Sequence, residues 1–211
     1  TALAAVAIAS MLVGNWLALK QENIKRLLAY SSIAHFGYLL VVLIALAHES
    51  AEATLIRQAI TFYLTAYILT TLAAFAVIAC IAGEDESKNQ IAAFDGLFWR
   101  RGIQASSLTV AMLSFAGIPL TAGFFGKFYI ISVGIQSQLW WLLGSLIIGS
   151  AIAIYYYLRI VFAMTMSAGT ATKGQCSASP VAQDVLAILL LILVLLLGSW
   201  PQPFIEFAGQ L

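Results

Sequence analysis

Lys127 lies in the run Ala-Gly-Ile-Pro-Leu-Thr-Ala-Gly-Phe-Phe-Gly-Lys-Phe-Tyr-Ile from Ala116 to Ile130, in a chain that otherwise keeps its charges at the ends of apolar segments. An ionisable side chain at membrane depth, beside residues that break helices, points to the handling of ions or protons. Lys127 follows Pro119 by eight residues, roughly 12 Å of helix at 1.5 Å per residue. The competing reading is a lysine that snorkels to the interface. Phe128 to Gly134 still follow, all apolar or small, so the outward reach is long. A protonatable relay facing internal water is the reading taken.

Gly117, Pro119, Gly123 and Gly126 crowd the same half of this segment. Proline removes an N–H donor, clashes with the carbonyl four residues back and pushes its predecessor out of helical geometry, so the helix breaks near Ile118. Within a bilayer such a break persists only where protein or water satisfies the freed backbone groups. A second polar set lies on Ile24 to Tyr38, where Ser31, Ser32, His35 and Tyr38 fall on one side at helical spacing. Imidazole exchanges protons near neutral pH, which makes His35 a candidate to pass protons between waters. Serine and histidine can equally serve as hydrogen-bonding glue between helices, and spacing alone leaves both readings open. Lys25 and Arg26 are orientation signals first, with Lys25 a weaker candidate for proton uptake. Tyr63, Tyr67 and Thr70 or Thr71 share a face, whereas Tyr155 to Arg159 reads as an interfacial anchor.

These residues need a membrane scaffold. The chain is 62% hydrophobic and 9% charged with a mean hydropathy of +0.97, against roughly 25% charged residues in ordinary soluble domains. A crossing needs about 20 apolar residues. Six segments qualify: Ala2 to Leu19, Ile24 to Ala47, Ala59 to Ala82, Ile103 to Gly134, Leu139 to Met166 and Val185 to Trp200. The fold expected is all-α, a polytopic transmembrane bundle of six spans with a broken fourth. Residues 1–211 read as a single membrane domain, with 167–184 a linker rich in Ser, Gly, Ala and Thr and 185–200 the last transmembrane helix. Strand-like alternation is absent, which disfavours a barrel.

A net charge of +1 gives no broad basic surface for nucleic acid. Cys80 and Cys176 supply neither a disulfide framework nor metal-ligand spacing. Dinucleotide and phosphate-loop fingerprints, zinc arrays, iron–sulfur cysteine sets and the nucleophile elbow are missing. The start, Thr-Ala-Leu-Ala-Ala, has no basic flank of a signal peptide and reads as a fragment of a longer chain.

Gln21-Glu-Asn-Ile-Lys-Arg-Leu-Leu-Ala-Tyr-Ser-Ser-Ile-Ala-His-Phe-Gly-Tyr38 and Leu113-Ser-Phe-Ala-Gly-Ile-Pro-Leu-Thr-Ala-Gly-Phe-Phe-Gly-Lys-Phe128 resemble the antiporter-like membrane subunits of respiratory complex I. Asp95-Gly-Leu-Phe-Trp99, Leu139-Trp-Trp-Leu-Leu-Gly144 and Gly149 to Arg159 narrow the resemblance to the N type of bacterial NADH:quinone oxidoreductase. The resemblance implies that residues 1–166 form the second of two inverted five-helix repeats, with the break at Pro119 in its fourth helix and a final helix after it. It implies a relay through Lys127, at a position held by lysine or glutamate among these subunits, and contact of His35 with a hydrated axis. A central glutamate and two further lysines would belong to the first repeat, outside this sequence. On this resemblance the chain is a proton-translocating part of an enzyme, in a bacterial inner membrane among other membrane-arm subunits. It holds no cofactor itself; NADH, flavin, iron–sulfur clusters and quinone belong to partner subunits. Two alternatives remain: a subunit of a multisubunit cation/proton antiporter, and a structural membrane subunit without a proton path.

With six alternating spans, Lys20, Lys25, Arg26, Lys88, Arg100, Arg101, Arg159 and Lys173 share one side and Arg57 takes the other. The positive-inside rule puts the larger group in the cytoplasm and both ends of the chain in the periplasm. A cysteine introduced as Ser87→Cys in a cysteine-free background should resist an impermeant thiol reagent applied to intact cells. Labelling from outside would reverse the orientation.

Overall fold

The computed structural model describes residues 2–48, 51–83, 85–166 and 181–210. Most of the linker read at 167–184, with Lys173 and Cys176, lies outside the described residues. The first two helices, α1 (Ala2–Leu19) and α2 (Ile24–Ala47), coincide with the segments read from hydropathy. The turn between them is fixed by Asn23, whose side-chain oxygen accepts the N–H groups of Lys25 (3.0 Å) and Arg26 (3.2 Å) at the start of α2.

The third helix, α3 (Ala53–Ala82), begins six residues before the apolar segment read at Ala59. Thr54, Arg57 and Gln58 lower the hydropathy there, yet the stretch contains no glycine or proline to stop a helix. The following loop forms two 3-10 turns, Glu86–Asn89 and Ile91–Phe94, and the short α4 (Leu97–Arg100). The fourth apolar segment divides into α5 (Gly102–Ala116) and α6 (Ala122–Gln136). Then come α7 (Trp140–Thr165) and α8 (Val181–Ser199), the latter starting inside the stretch read as linker. The final helix, α9 (Gln202–Gln210), was not anticipated. Its nine residues are too short for a crossing, and its apolar residues Phe204, Ile205 and Ala208 follow helical rather than continuous spacing.

The described residues form an all-α bundle, with one isolated bridge between Asn23 and Gln90. Among the described residues, five helices are long and apolar enough to cross a membrane: α1, α2, α3, α7 and, within α8, Ala182–Ser199. At 15 residues each, α5 and α6 are roughly 22 Å long and reach across only as a pair.

Contacts among helix ends and connecting loops sort the chain into two ends, as alternating spans require. Arg159 donates to the Gln21 carbonyl, Ile91 N–H to Glu22 O (2.8 Å), Gly96 N–H to Ala163 O (3.1 Å), and Gln104 Nε2 to Asp184 Oδ1 (3.0 Å). These bonds gather Lys20, Lys25, Arg26, Lys88, Arg100, Arg101 and Arg159 at one end. Glu52 N–H bonds Gln136 Oε1 at the other (3.3 Å).

Large apolar side chains such as Val13, Ile68, Leu72, Ile147 and Leu189 cover the outside, while Asn15, Ser31, His35, Thr70, Ser114 and Lys127 are buried. Helices approach closely through small residues, as membrane helices do. A Cβ on Gly37 of α2 would lie 2.7 Å from Met11 Cγ and 3.0 Å from Ala7 O of α1, whereas one on Gly144 of α7 would meet nothing within 4 Å. Gly37→Val should therefore cost about 1–3 kcal/mol through overpacking and lower the unfolding midpoint in detergent. Gly144→Ala should leave it unchanged or raised. Equal midpoints for the two variants would mean that α1 and α2 do not depend on close approach.

Candidate functional site

The site begins where α5 stops. Gly117 adopts φ +82°, a left-handed conformation that suits glycine. Ile118 N–H bonds Leu113 O (3.0 Å) and Gly117 N–H bonds Ser114 O (3.0 Å), the paired closure of a Schellman motif. Pro119 follows, Leu120 is held at φ +75°, strained for a residue with a side chain, and α6 restarts at Ala122. The break expected near Ile118 thus spans residues 117–121.

This closure leaves the last carbonyls of α5 without helical donors, and Lys127 fills the vacancy. Its Nζ, buried in the second turn of α6, reaches back to donate to Phe115 O (2.9 Å) and Ala116 O (3.0 Å). An ammonium at the negative end of a helix dipole is in a favourable field. The lysine snorkels to neither membrane face, and its Nζ also sits 5.4 Å from the centre of the Tyr38 ring.

Gly123 and Gly126 make room for this arrangement. Gly123 faces the Ser114 carbonyl too closely for any Cβ, and its N–H donates to Ser114 Oγ (3.1 Å). Ser114 Oγ is in turn hydrogen-bonded to Thr70 Oγ1 at 2.9 Å. Gly126 lies against Tyr63, whose Cδ2 is 3.0 Å from where a Cβ would stand.

The polar stripe of α2 faces the same interior. His35 Nδ1 is 2.7 Å from the Tyr63 hydroxyl of α3, and Nε2 is 3.4 Å from the Tyr157 hydroxyl of α7. Tyr157 OH is also bonded to Ser31 Oγ. Ser32 accepts from Tyr67 OH (2.8 Å), while Tyr38 accepts from Asn15 Nδ2 (3.1 Å). The Phe115 ring packs against His35 with centroids 5.4 Å apart, so the residue whose carbonyl holds Lys127 also touches the imidazole. Lys127 and His35 both line one cavity, with Tyr63, Tyr67, Thr70 and Ser114. Its water-accessible volume is about 10 Å³, the lower limit for holding one water.

Lys25 is not part of this site. It stands in the first turn of α2 at the charged end, roughly 15 Å along the helix from His35. The aromatic run on α7 departs from the interfacial reading. Tyr155 is exposed, but Tyr156 and Tyr157 are fully buried, with their hydroxyls on Asn15 Oδ1 (2.8 Å) and on Ser31 and His35. Three consecutive residues span most of a helical turn and cannot all face one way. Asn15 went unnoticed, although an amide inside α1 is itself a signal of an internal polar contact. Among the described residues no group of three or more His, Cys, Asp or Glu is placed to hold a metal ion.

Residues 1–171 match the family model described as NADH:quinone oxidoreductase/Mrp antiporter, TM. The chain is 47% identical over 205 residues to NADH-quinone oxidoreductase subunit N of Ectopseudomonas mendocina, covering 95% of this chain and 40% of that protein. A chain in respiratory complex I from Thermus thermophilus superposes with a TM-score of 0.81 at 32% identity, over 97% of this chain and 44% of that one. The Mrp complex from a Dietzia species gives a TM-score of 0.82 at 17% identity, over 99% of this chain and 46% of that one. At that identity the likeness shows the fold alone. The chain spans less than half the length of these relatives. On the match over residues 1–171, together with a bundle broken at the lysine-bearing helix, the chain belongs to the NADH:quinone oxidoreductase/Mrp antiporter transmembrane family.

Proposed function

We propose that this chain is the distal part of a proton-translocating, N-type membrane-arm subunit of a bacterial NADH:quinone oxidoreductase, and that Lys127 holds and releases the transported proton. The observation that carries the reading is the shared cavity: a buried lysine amine and a buried imidazole open on the same water-sized space. An ammonium has three N–H donors, and two of them are taken by Phe115 O and Ala116 O. The third is left for the cavity. Once that proton leaves, the neutral amine keeps two N–H groups for the same carbonyls and turns a lone pair to the cavity. Both protonation states therefore fit one geometry.

His35 extends the route. A neutral imidazole carries one donor and one acceptor nitrogen, so the row Tyr63, His35, Tyr157 and Ser31 can be oriented in either direction. Ser32, Tyr38 and Asn15 hold the surrounding helices in place. Residues 1–166 act as one repeat and α8 braces it, since Gly198 presses directly on the Leu120–Thr121 backbone of the break. The charged end faces the bacterial cytoplasm. NADH, flavin, iron–sulfur clusters and quinone are handled by other subunits, whose redox work reaches this chain through neighbouring membrane-arm subunits. A second reading, cation/proton exchange, is favoured by the family model's own mention of Mrp antiporters. Sodium- or potassium-dependent exchange without NADH oxidation would select it.

Lys127→Ala leaves two carbonyls of α5 without their donor, at a cost of about 1–3 kcal/mol each, so the complex should assemble with reduced stability. Its NADH-driven pumping should fall strongly. Lys127→Arg should not restore pumping, because guanidinium does not give up its proton. Complex content, quinone reduction and vesicle acidification measured in parallel separate assembly from transport. Normal pumping per electron in an assembled Lys127→Ala complex would reject the relay.

His35→Ala should reduce pumping only in part, because water can occupy the vacated space and still join Tyr63 to Tyr157. His35→Phe keeps the ring and excludes that water, so it should pump less than His35→Ala. The reverse order in vesicle acidification would assign His35 to helix packing alone.

A further inference from the structure

Outside the relay, Arg159 occupies an unusual position at the charged end of α7. One terminal nitrogen donates to the Gln21 carbonyl, while Nε is buried with no hydrogen-bond partner. Two open spaces meet at this side chain. The first is a cleft of about 570 Å³ lined by Glu22, Gln90, Ile91, Ala92, Asp95 and Arg159. The second is a groove of about 490 Å³ lined by Leu19, Ile152, Tyr155 and Arg159. Ile152, Tyr155 and Arg159 follow one another along one face of α7, and the seven residues from Arg159 to Ile152 cover roughly 10 Å of helix. The groove thus descends from the charged end toward the bilayer interior.

A cation beside two carboxylates would ordinarily close into an ion pair. Here neither Glu22 nor Asp95 is paired to Arg159 among the described residues, and all three line the same cleft. We propose that cleft and groove together form a binding site for one aminophospholipid of the phosphatidylethanolamine type. Its phosphate sits on the guanidinium, whose planar fork matches phosphate oxygens. Its ammonium lies toward Glu22 and Asp95, and an acyl chain runs down past Tyr155 to Ile152. Phosphatidylglycerol would set a net anion against two carboxylates with no cation to meet them. Phosphatidylcholine has a quaternary head without N–H donors for those carboxylates. The site ties the Ile91–Phe94 turn and the ends of α1 and α7 to the lipid leaflet.

The test uses the intact membrane complex that contains this chain, reconstituted with phosphatidylethanolamine carrying a photoactivatable diazirine in its acyl chain. Cross-links should map to Leu19, Ile152 or Tyr155. Arg159→Gln should lower them roughly tenfold, the effect of losing one charge-assisted hydrogen bond. Because that change also removes the bond to Gln21, Ile152→Trp serves as a second variant that fills the groove and leaves the guanidinium in place; it should lower labelling as much. Glu22→Gln with Asp95→Asn should shift the preference toward a phosphatidylglycerol probe. Unchanged labelling in both Arg159→Gln and Ile152→Trp would overturn the site. Equal labelling of the wild type by the phosphatidylglycerol probe would overturn its assignment to an aminophospholipid, and a neighbouring subunit's helix seated in the groove would overturn the lipid altogether.

Discussion

Two backbone carbonyls at the end of a broken helix need donors in a place where bulk water is absent, and one buried lysine needs acceptors in the same place. Phe115 and Ala116 supply the acceptors, and Lys127 supplies the donors. Either group alone would be costly: an unsatisfied carbonyl in hydrocarbon costs several kcal/mol, and a lysine at a span centre about 2.5 to 3.5 kcal/mol on translocon scales. Together they satisfy one another. The break and the charge are two halves of one interaction, which explains why the same fifteen-residue helix α6 carries both the restart after Pro119 and the lysine that secures it.

The rest of the bundle follows from that pairing. For Nζ to reach α5, α6 must lie close against it, and Gly123 removes the Cβ that would collide with the Ser114 carbonyl. Gly126 lets Tyr63 of α3 come equally near. Tyr63 then meets His35, His35 meets Tyr157, and Tyr157 meets Ser31, so α2, α3 and α7 are joined by hydroxyl and imidazole contacts around the lysine. Each bond in this set crosses between helices, where the apolar exterior contributes little because lipid is as apolar as leucine. In the proposed function, helix cohesion and proton transfer would draw on the same side chains, so a functional reading of His35 does not exclude its structural one.

The sequence displayed the architecture through hydropathy, because a membrane crossing is a length requirement written in apolar residues. It displayed the break through Gly117 and Pro119, whose backbone chemistry is local. Lys127 stood out for the same reason, as a charge among apolar neighbours. Its partners did not: backbone carbonyls carry no side-chain signature, and a tie between residues 127 and 115 depends on how the chain turns at 117–121. The burial of Tyr156 and Tyr157 was hidden because three adjacent tyrosines look like an interfacial belt until the helix phase is known. Asn15 was visible and overlooked. The early start of α3 and the existence of α9 escaped because both are polar enough to pass for loop.

The most direct measurement is a cryo-electron microscopy map of the assembled complex at a resolution that shows ordered water. Lys127 Nζ is expected within hydrogen-bond distance of the Phe115 and Ala116 carbonyls, with an ordered water on its third donor position in the cavity shared with His35. A lysine turned away from α5 toward lipid, or a dry cavity between the two side chains, would contradict it.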